Sequence, residues 1–338
     1  MALLSLETQF ILKKLSYTRI LNALKVFLSY YYSKLLGKSH HWGMPITVSI
    51  EPTTACNLKC PECPSGLRSF TRPTGNLKSS FFKNYIDEVY HHLTALTFYF
   101  QGEPYIHPEF LDMVRYANDR NIYTMTSTNG HFLTPENCIK TVESGLDRLI
   151  ISLDGTTQET YEKYRIEGKL EKVISGIKNI VEAKKKLKSK RPLVVIQFLV
   201  VKPNEHQIPE IQALTKSLGA NQLVLKTAQI YDYTNGSNLI PEQSIYSRYQ
   251  KETDGSYRVK NRFLNECWRM WQGCVITWDG RVVPCCFDKD AEHQLGKMPE
   301  QNFQSIWHGA PYNKFRNQIL SGRDQIEICK NCTEGGFL

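Results

Sequence analysis

Three of the chain's ten cysteines, Cys56, Cys60 and Cys63, fall within eight consecutive residues. The next 203 residues contain only Cys138, and the last 72 hold Cys267, Cys274, Cys285, Cys286, Cys329 and Cys332. A small secreted disulfide scaffold is short and spreads its cysteines through the chain, so two groups across a long gap do not fit it. Residues 1–43 also lack the charged head, apolar stretch and small-residue cleavage site of a secretory leader. The expected location is therefore cytoplasmic. In a reducing compartment, thiols clustered at short spacing are metal or redox ligands more often than disulfides.

With 338 residues, the chain has room for one large domain and a smaller appendage. Apolar residues at 41% and charged residues at 22% exclude a disordered, collagen-like or membrane-bundle protein. The net charge of +9 is local: residues 1–50 carry +5, residues 178–191 carry +6, and the remainder sums to −2. No nucleic-acid partner is expected, because basicity confined to two helical segments does not describe the body of the protein. Residues 4–37 have a helical pattern of Leu, Ile, Phe and Tyr interleaved with lysines. The stretch 20–36 is too short and too charged to span a membrane. An amphipathic helix packed on the main domain is favoured over a basic helix on a membrane surface.

From residue 46, strand-like runs at 46–50, 96–100, 123–127, 148–153, 193–201 and 222–226 alternate with helical runs at 77–93, 108–120, 135–144, 170–187 and 205–218. Such alternation predicts a parallel sheet with covering helices joined by right-handed crossovers. Polar and small residues just after the strands point to a barrel, where chemistry gathers at the carboxyl rim. The fold class expected is α/β: a partial (β/α)6 barrel over 44–232, preceded by a helical extension over 1–43. A linker over 233–262 and a cysteine-bearing domain of β-hairpin plus helix over 263–338 follow it. Asp279-Gly280 supplies the tight turn of that hairpin.

The segment Cys56-Asn57-Leu58-Lys59-Cys60-Pro61-Glu62-Cys63 directly follows the first expected strand. Structural zinc wants four ligands, whereas three thiols on one loop suit a 4Fe-4S cluster with one iron left open. The CxxxCxxC spacing in this position resembles the radical S-adenosylmethionine (SAM) superfamily, over roughly residues 46–230. The resemblance implies that Cys56, Cys60 and Cys63 hold a SAM-binding 4Fe-4S cluster. It implies reductive cleavage of SAM to a 5′-deoxyadenosyl radical, with electrons from a partner such as flavodoxin or ferredoxin. Glu62 departs from the aromatic residue usual before the third cysteine, so adenine contact by that side chain is not implied here.

After the second strand, Gln101-Gly102-Glu103-Pro104 resembles the family's Gly-Gly-Glu turn, which implies that Gly102 and Glu103 bind the SAM ammonium. Ser127 and Asn129 follow the third strand, and Ser152 and Asp154 follow the fourth. By the same resemblance these positions bind the ribose and methionine portions, with Arg165 pairing with the carboxylate. Each alone reads equally well as a cap or turn residue; their recurrence after successive strands favours a site.

In the C-terminal segment, four thiols from the hairpin and the terminal Cys329-Lys330-Asn331-Cys332 pair suffice to ligate a second cluster. Four thiolates also satisfy tetrahedral zinc. The run Trp278-Asp279-Gly280-Arg281-Val282-Val283-Pro284-Cys285 and the later Ile306-Trp307 resemble the twitch form of the SPASM extension. That resemblance implies one auxiliary 4Fe-4S cluster on Cys267, Cys285, Cys329 and Cys332. Cys274 and Cys286 are then spare, although Cys286 can exchange roles with Cys285. Cys138, alone on a helix, reads as a small buried apolar residue.

A fully ligated second cluster favours net oxidation, since it offers an electron acceptor to a substrate radical. The expected function is oxidation by dehydrogenation of a small-molecule or peptide substrate; no catalytic base is assigned, and Lys226 reads as a structural or surface lysine in preference to a proton acceptor or substrate contact. Enzymes of similar layout oxidise an aminocyclitol alcohol, convert a Cys or Ser side chain to formylglycine, or crosslink peptides. A peptide or protein maturase is the alternative within the superfamily, although the helical N-terminal segment does not read as a peptide-recognition domain. A non-enzymatic zinc-stapled binding protein is the alternative outside it.

Overall fold

The computed structural model describes residues 5–261 and 264–335. The expected boundary at 262–263, the start of the helical pattern at residue 4 and the last three residues lie outside them. Six parallel strands, β1 (Thr47–Ile50), β2 (Ala95–Phe98), β3 (Tyr123–Thr128), β4 (Arg148–Ser152), β5 (Leu193–Val200) and β6 (Gln222–Thr227), pair in sequence order. Helices cross between them, giving the partial (β/α)6 barrel. Each strand lies within a residue or two of its expected span. The reason is visible in β5, whose near-continuous apolar run LVVIQFLV is buried on both faces over its first half and on one face beyond, where Gln197 and Leu199 are half-buried. Helix Leu170–Lys186 presents Leu170, Val173, Ile177, Ile180 and Ala183 inward at helical spacing and leaves its lysines outside.

The cysteine-bearing C-terminal strands are built onto the same sheet. After a small antiparallel ribbon, β7 (Tyr249–Lys251) with β8 (Tyr257–Val259), which occupies the stretch expected as a linker, comes β9 (Gly273–Ile276). It runs parallel to β1, pairing Thr47 with Gly273 and Ile50 with Ile276. β10 (Arg281–Val283) and β11 (Gly296–Lys297) follow as antiparallel neighbours. The nine-stranded order is β11-β10-β9-β1-β2-β3-β4-β5-β6. The expected hairpin is therefore β9 and β10, turning at Asp279-Gly280.

The single helix expected over 4–37 is two, α1 (Leu6–Lys14) and α2 (Tyr17–Leu36). Leu15 is extended, and the Ser16 hydroxyl accepts the Arg19 N–H, so a new N-cap interrupts the pattern. Buried Arg19 donates to the carbonyls of Tyr90, Arg120 and Asn121, just before β2 and β3. α2 thereby covers the amino-terminal end of the sheet. Its inner face packs Tyr30 edge-on against Trp268 and Trp271.

Candidate functional site

At the opposite, carboxyl end of the strands lies a cavity of about 200 Å³. Its lining includes nine of the ten barrel residues assigned from sequence to the cluster or to SAM: Cys56, Cys60, Cys63, Gly102, Glu103, Ser127, Asn129, Ser152 and Arg165. They come from the ends of β1 through β4, so register in a parallel sheet converts short separate motifs into one pocket. Two glycines permit the close approach. A Cβ on Gly66 would stand 2.6 Å from the Cys60 backbone nitrogen, and one on Gly102, which has φ +74°, would stand 2.2 Å from the Thr53 carbonyl oxygen.

Donors face two of the three thiols, while Cys63 Sγ lies 3.9 Å from the Gln101 Oε1 acceptor. Leu58 N–H and the Asn129 amide point at Cys56 Sγ at 3.5 and 3.9 Å, and Arg165 Nη1 points at Cys60 Sγ at 3.7 Å. Burial raises the Cys56 thiol to about 11 and also raises Cys60, a penalty that ligation by deprotonated sulfur removes. The donor set fits an anionic cluster. Among the described residues no three His, Cys, Asp or Glu side chains converge on a single-ion site; the thiols instead ring the cavity.

Glu103 is fully buried. It accepts from Thr128 Oγ1 at 2.8 Å, Asn129 N at 2.7 Å and Tyr105 N at 3.2 Å, yet desolvation still pushes its carboxyl up to about 7. Between about pH 4.5 and 7 the folded protein thus holds a proton that the unfolded chain, with a carboxyl near 4.5, has released. Stability conferred by that proton is present below about pH 4.5 and lost as pH rises to about 7. Glu103→Gln in the cluster-free protein should remove this loss, roughly 3 kcal/mol. Thermal unfolding of the variant and the parent between pH 4.5 and 8 checks it; parallel pH profiles would contradict the assignment.

Asp154 does not line the cavity. It stands behind Arg165, accepting from Arg165 Nε at 2.5 Å and from Leu199 N at 2.6 Å, and so positions the guanidinium. Sequence reasoning missed Gln197, Tyr164 and Lys289, which also line the cavity. Gln197 was detectable as the polar residue in an otherwise apolar strand, whereas Lys289 resembles any loop lysine. Glu62 lies on the wall and accepts from the Tyr231 N–H at 2.9 Å.

The second thiol set gathers as well. Cys267 and Cys329 lie within electrostatic reach of both Cys285 and Cys332. Arg323 Nη2 donates to Cys332 Sγ at 3.3 Å, and its Nε is buried without a partner in the protein. A buried guanidinium among four thiols suits negative thiolate ligands better than neutral ones. Cys286 is solvent-accessible and stands near Cys285, Arg269, Lys226 and Cys332, so it too adjoins this set, whereas Cys274 faces Tyr312 and Arg316 in the core. Cys138 is wholly buried in its helix.

Known proteins agree with this geometry. Residues 50–213 match the family described as the Radical SAM superfamily, and residues 267–333 match SPASM, an iron-sulfur cluster-binding domain. The "tungsten-containing aldehyde ferredoxin oxidoreductase cofactor-modifying protein" of Pyrococcus furiosus is 26% identical over 84% of this chain and 86% of its own. The "AdoMet-dependent heme synthase" of Methanosarcina barkeri is 25% identical over 85% of this chain and 91% of its own. Among solved structures, Streptococcus suis SuiB bound to its precursor peptide SuiA superimposes with a TM-score of 0.63 at 14% identity, covering 94% of this chain and 76% of that one.

Proposed function

We infer that this chain, which belongs to the radical SAM superfamily and carries a SPASM-type cluster-binding domain, is an enzyme that oxidises its substrate by dehydrogenation. Held by Cys56, Cys60 and Cys63, a 4Fe-4S cluster with an open iron supplies one-electron cleavage of SAM, and a second cluster on Cys267, Cys285, Cys329 and Cys332 supplies an electron acceptor. The chain's own residues bind and orient. Glu103 accepts from the SAM ammonium, Arg165 holds its carboxylate, and Ser127, Asn129 and Ser152 offer hydroxyl and amide groups to the rest. Arg323 balances negative charge at the second thiol set.

One observation carries the oxidative reading. The loop that follows Cys285 and Cys286 delivers Lys289 into the cavity wall, within electrostatic reach of both Cys63 and Cys286. A substrate seated at Lys289 therefore adjoins the first thiol set and Cys286, the chain neighbour of Cys285 in the second. The name of the Pyrococcus furiosus relative and the peptide bound in the SuiB structure support a second reading, maturation of a cofactor or peptide by the same radical chemistry. Family membership leaves the non-enzymatic zinc-binding alternative without support.

Anaerobic reconstitution with iron and sulfide should give about eight irons per chain. Cys329→Ala/Cys332→Ala should retain about four, together with reductive formation of deoxyadenosine. Zinc in place of iron, or about four irons with all cysteines present, contradicts the second cluster. Absence of deoxyadenosine contradicts the radical reading itself.

A further inference from the structure

α2 packs a side of mixed polarity on the barrel and, among the described residues, leaves an apolar side uncovered. Its buried stripe runs through Arg19, Asn22, Val26, Tyr30 and Ser33. On the far side stand Ile20, Leu24, Leu28 and Leu35, 52, 50, 47 and 82% exposed, with Tyr17 78% exposed at the start of the helix. At 100° per residue these side chains form one face, roughly opposite the packed one. A contiguous exposed apolar face on a helix needs an occupant.

Charge indicates which. Lys25 and Lys34 stand on the two margins of this face, and Lys13 and Lys38 flank the helix. The one acid in residues 1–50, Glu7, is already paired with Arg148. Lys34 pairs with Glu266, while Lys13, Lys25 and Lys38 form no ion pair among the described residues. At the end of the helix the rings of Tyr32 and Trp42, 42 and 48% exposed, meet at 5.3 Å, an amphipathic pair of the kind that settles at a lipid headgroup boundary. A second copy of the chain is the poorer partner, because a symmetric contact here would oppose two segments each of net charge +5.

We propose that the outer face of α2 docks the enzyme on an anionic bilayer surface, lying in the interface without crossing it. Among the described residues no helix is long and apolar enough to span. Apolar insertion and lysine attraction to anionic headgroups act together in such a helix. Because α2 covers the amino-terminal end of the sheet, docking leaves the cavity at the carboxyl end open to solvent.

The test is sedimentation of the reconstituted full chain with vesicles of phosphatidylcholine alone or mixed with phosphatidylglycerol. Bound fraction should be at least about tenfold greater on the mixed vesicles, and high salt should reduce it. Leu24→Asp/Leu28→Asp should cut binding about tenfold with iron content and deoxyadenosine formation unchanged. Should that variant fail to fold, Lys13→Glu/Lys25→Glu/Lys38→Glu, confined to exposed charge, should still lower binding to the anionic vesicles. Equal binding to both vesicle types, or to neither, overturns the proposal. So does a concentration-dependent dimer without vesicle binding that Leu24→Asp/Leu28→Asp dissociates, which would make the occupant a second copy.

Discussion

Arg165→Ala should lower reductive deoxyadenosine formation on the order of 100-fold, the loss expected when about two charge-assisted hydrogen bonds near 1.5 kcal/mol each disappear from a buried site. Arg165 is enclosed by its partners, with Asp154 at 2.5 Å on one side and Cys60 Sγ at 3.7 Å on the other. Removing the guanidinium strips a donor from the cysteine loop and a cation from the cavity. It also strands the Asp154 carboxylate, which is fully buried and keeps only the Leu199 N–H among its donors. An uncompensated buried charge costs about 3–5 kcal/mol, so thermal stability should fall as well. Activity and folding separate through the conservative variant: Arg165→Lys keeps the charge but loses the planar fork, and should recover stability more than turnover. Iron content measured on each variant ensures that cleavage is compared at equal cluster loading. Wild-type cleavage by Arg165→Ala at full loading would remove Arg165 from the site.

A comparable loss, this time of stability, is expected from Arg72→Met. Arg72 and Glu51 form a two-bonded ion pair at 2.6 and 2.8 Å, with side chains 2 and 0% exposed. Glu51 follows β1, and its carboxylate also accepts the Trp278 N–H of the hairpin turn at 3.2 Å. Arg72 Nε donates to the Lys289 carbonyl at 3.2 Å, and the guanidinium lies over the Phe70 ring. One side chain therefore joins the first strand, the segment after the first cysteine loop and the loop after the second. Breaking such a pair from one side costs about 3–5 kcal/mol, whereas replacing both partners costs much less. Arg72→Met should show the full deficit, and Glu51→Gln/Arg72→Met should recover most of it. Burial raises the Glu51 carboxyl even with Arg72 present, and more so without it. The folded variant then holds a proton that the unfolded chain releases above about pH 4.5, so its deficit should widen as pH rises and narrow toward acid. Denaturant unfolding at two pH values measures both effects; a deficit under about 1 kcal/mol would mean the pair is not the buried clasp described.

Much of this architecture was legible without coordinates, for local reasons. Covalent spacing decides that three thiols separated by three and two residues can share a cluster, and residue pattern decides which runs become covered strands. β5 is the clearest case. The Gly102-Glu103 turn was weaker, because a Gly-Glu-Pro sequence is common in loops and acquires meaning only beside the ends of β3 and β4. Asp154 shows where pattern stops: it was grouped with the cavity residues because it follows a strand, but its side chain points behind the wall and acts through Arg165.

The chain's own sequence determined the ligand chemistry and the order of its strands. Tertiary structure decided which distant residues meet. β9 seats itself beside β1, and Cys267, Cys285, Cys329 and Cys332 gather while Cys274 turns toward Tyr312. Lys289 comes into the cavity, and α2 turns a face of mixed polarity to the barrel while leaving an apolar one outside. The physical reason is the range of the forces involved. Helix and strand periodicity and ligand spacing act over a few residues of chain, whereas burial and sheet pairing depend on surfaces contributed by segments hundreds of residues apart.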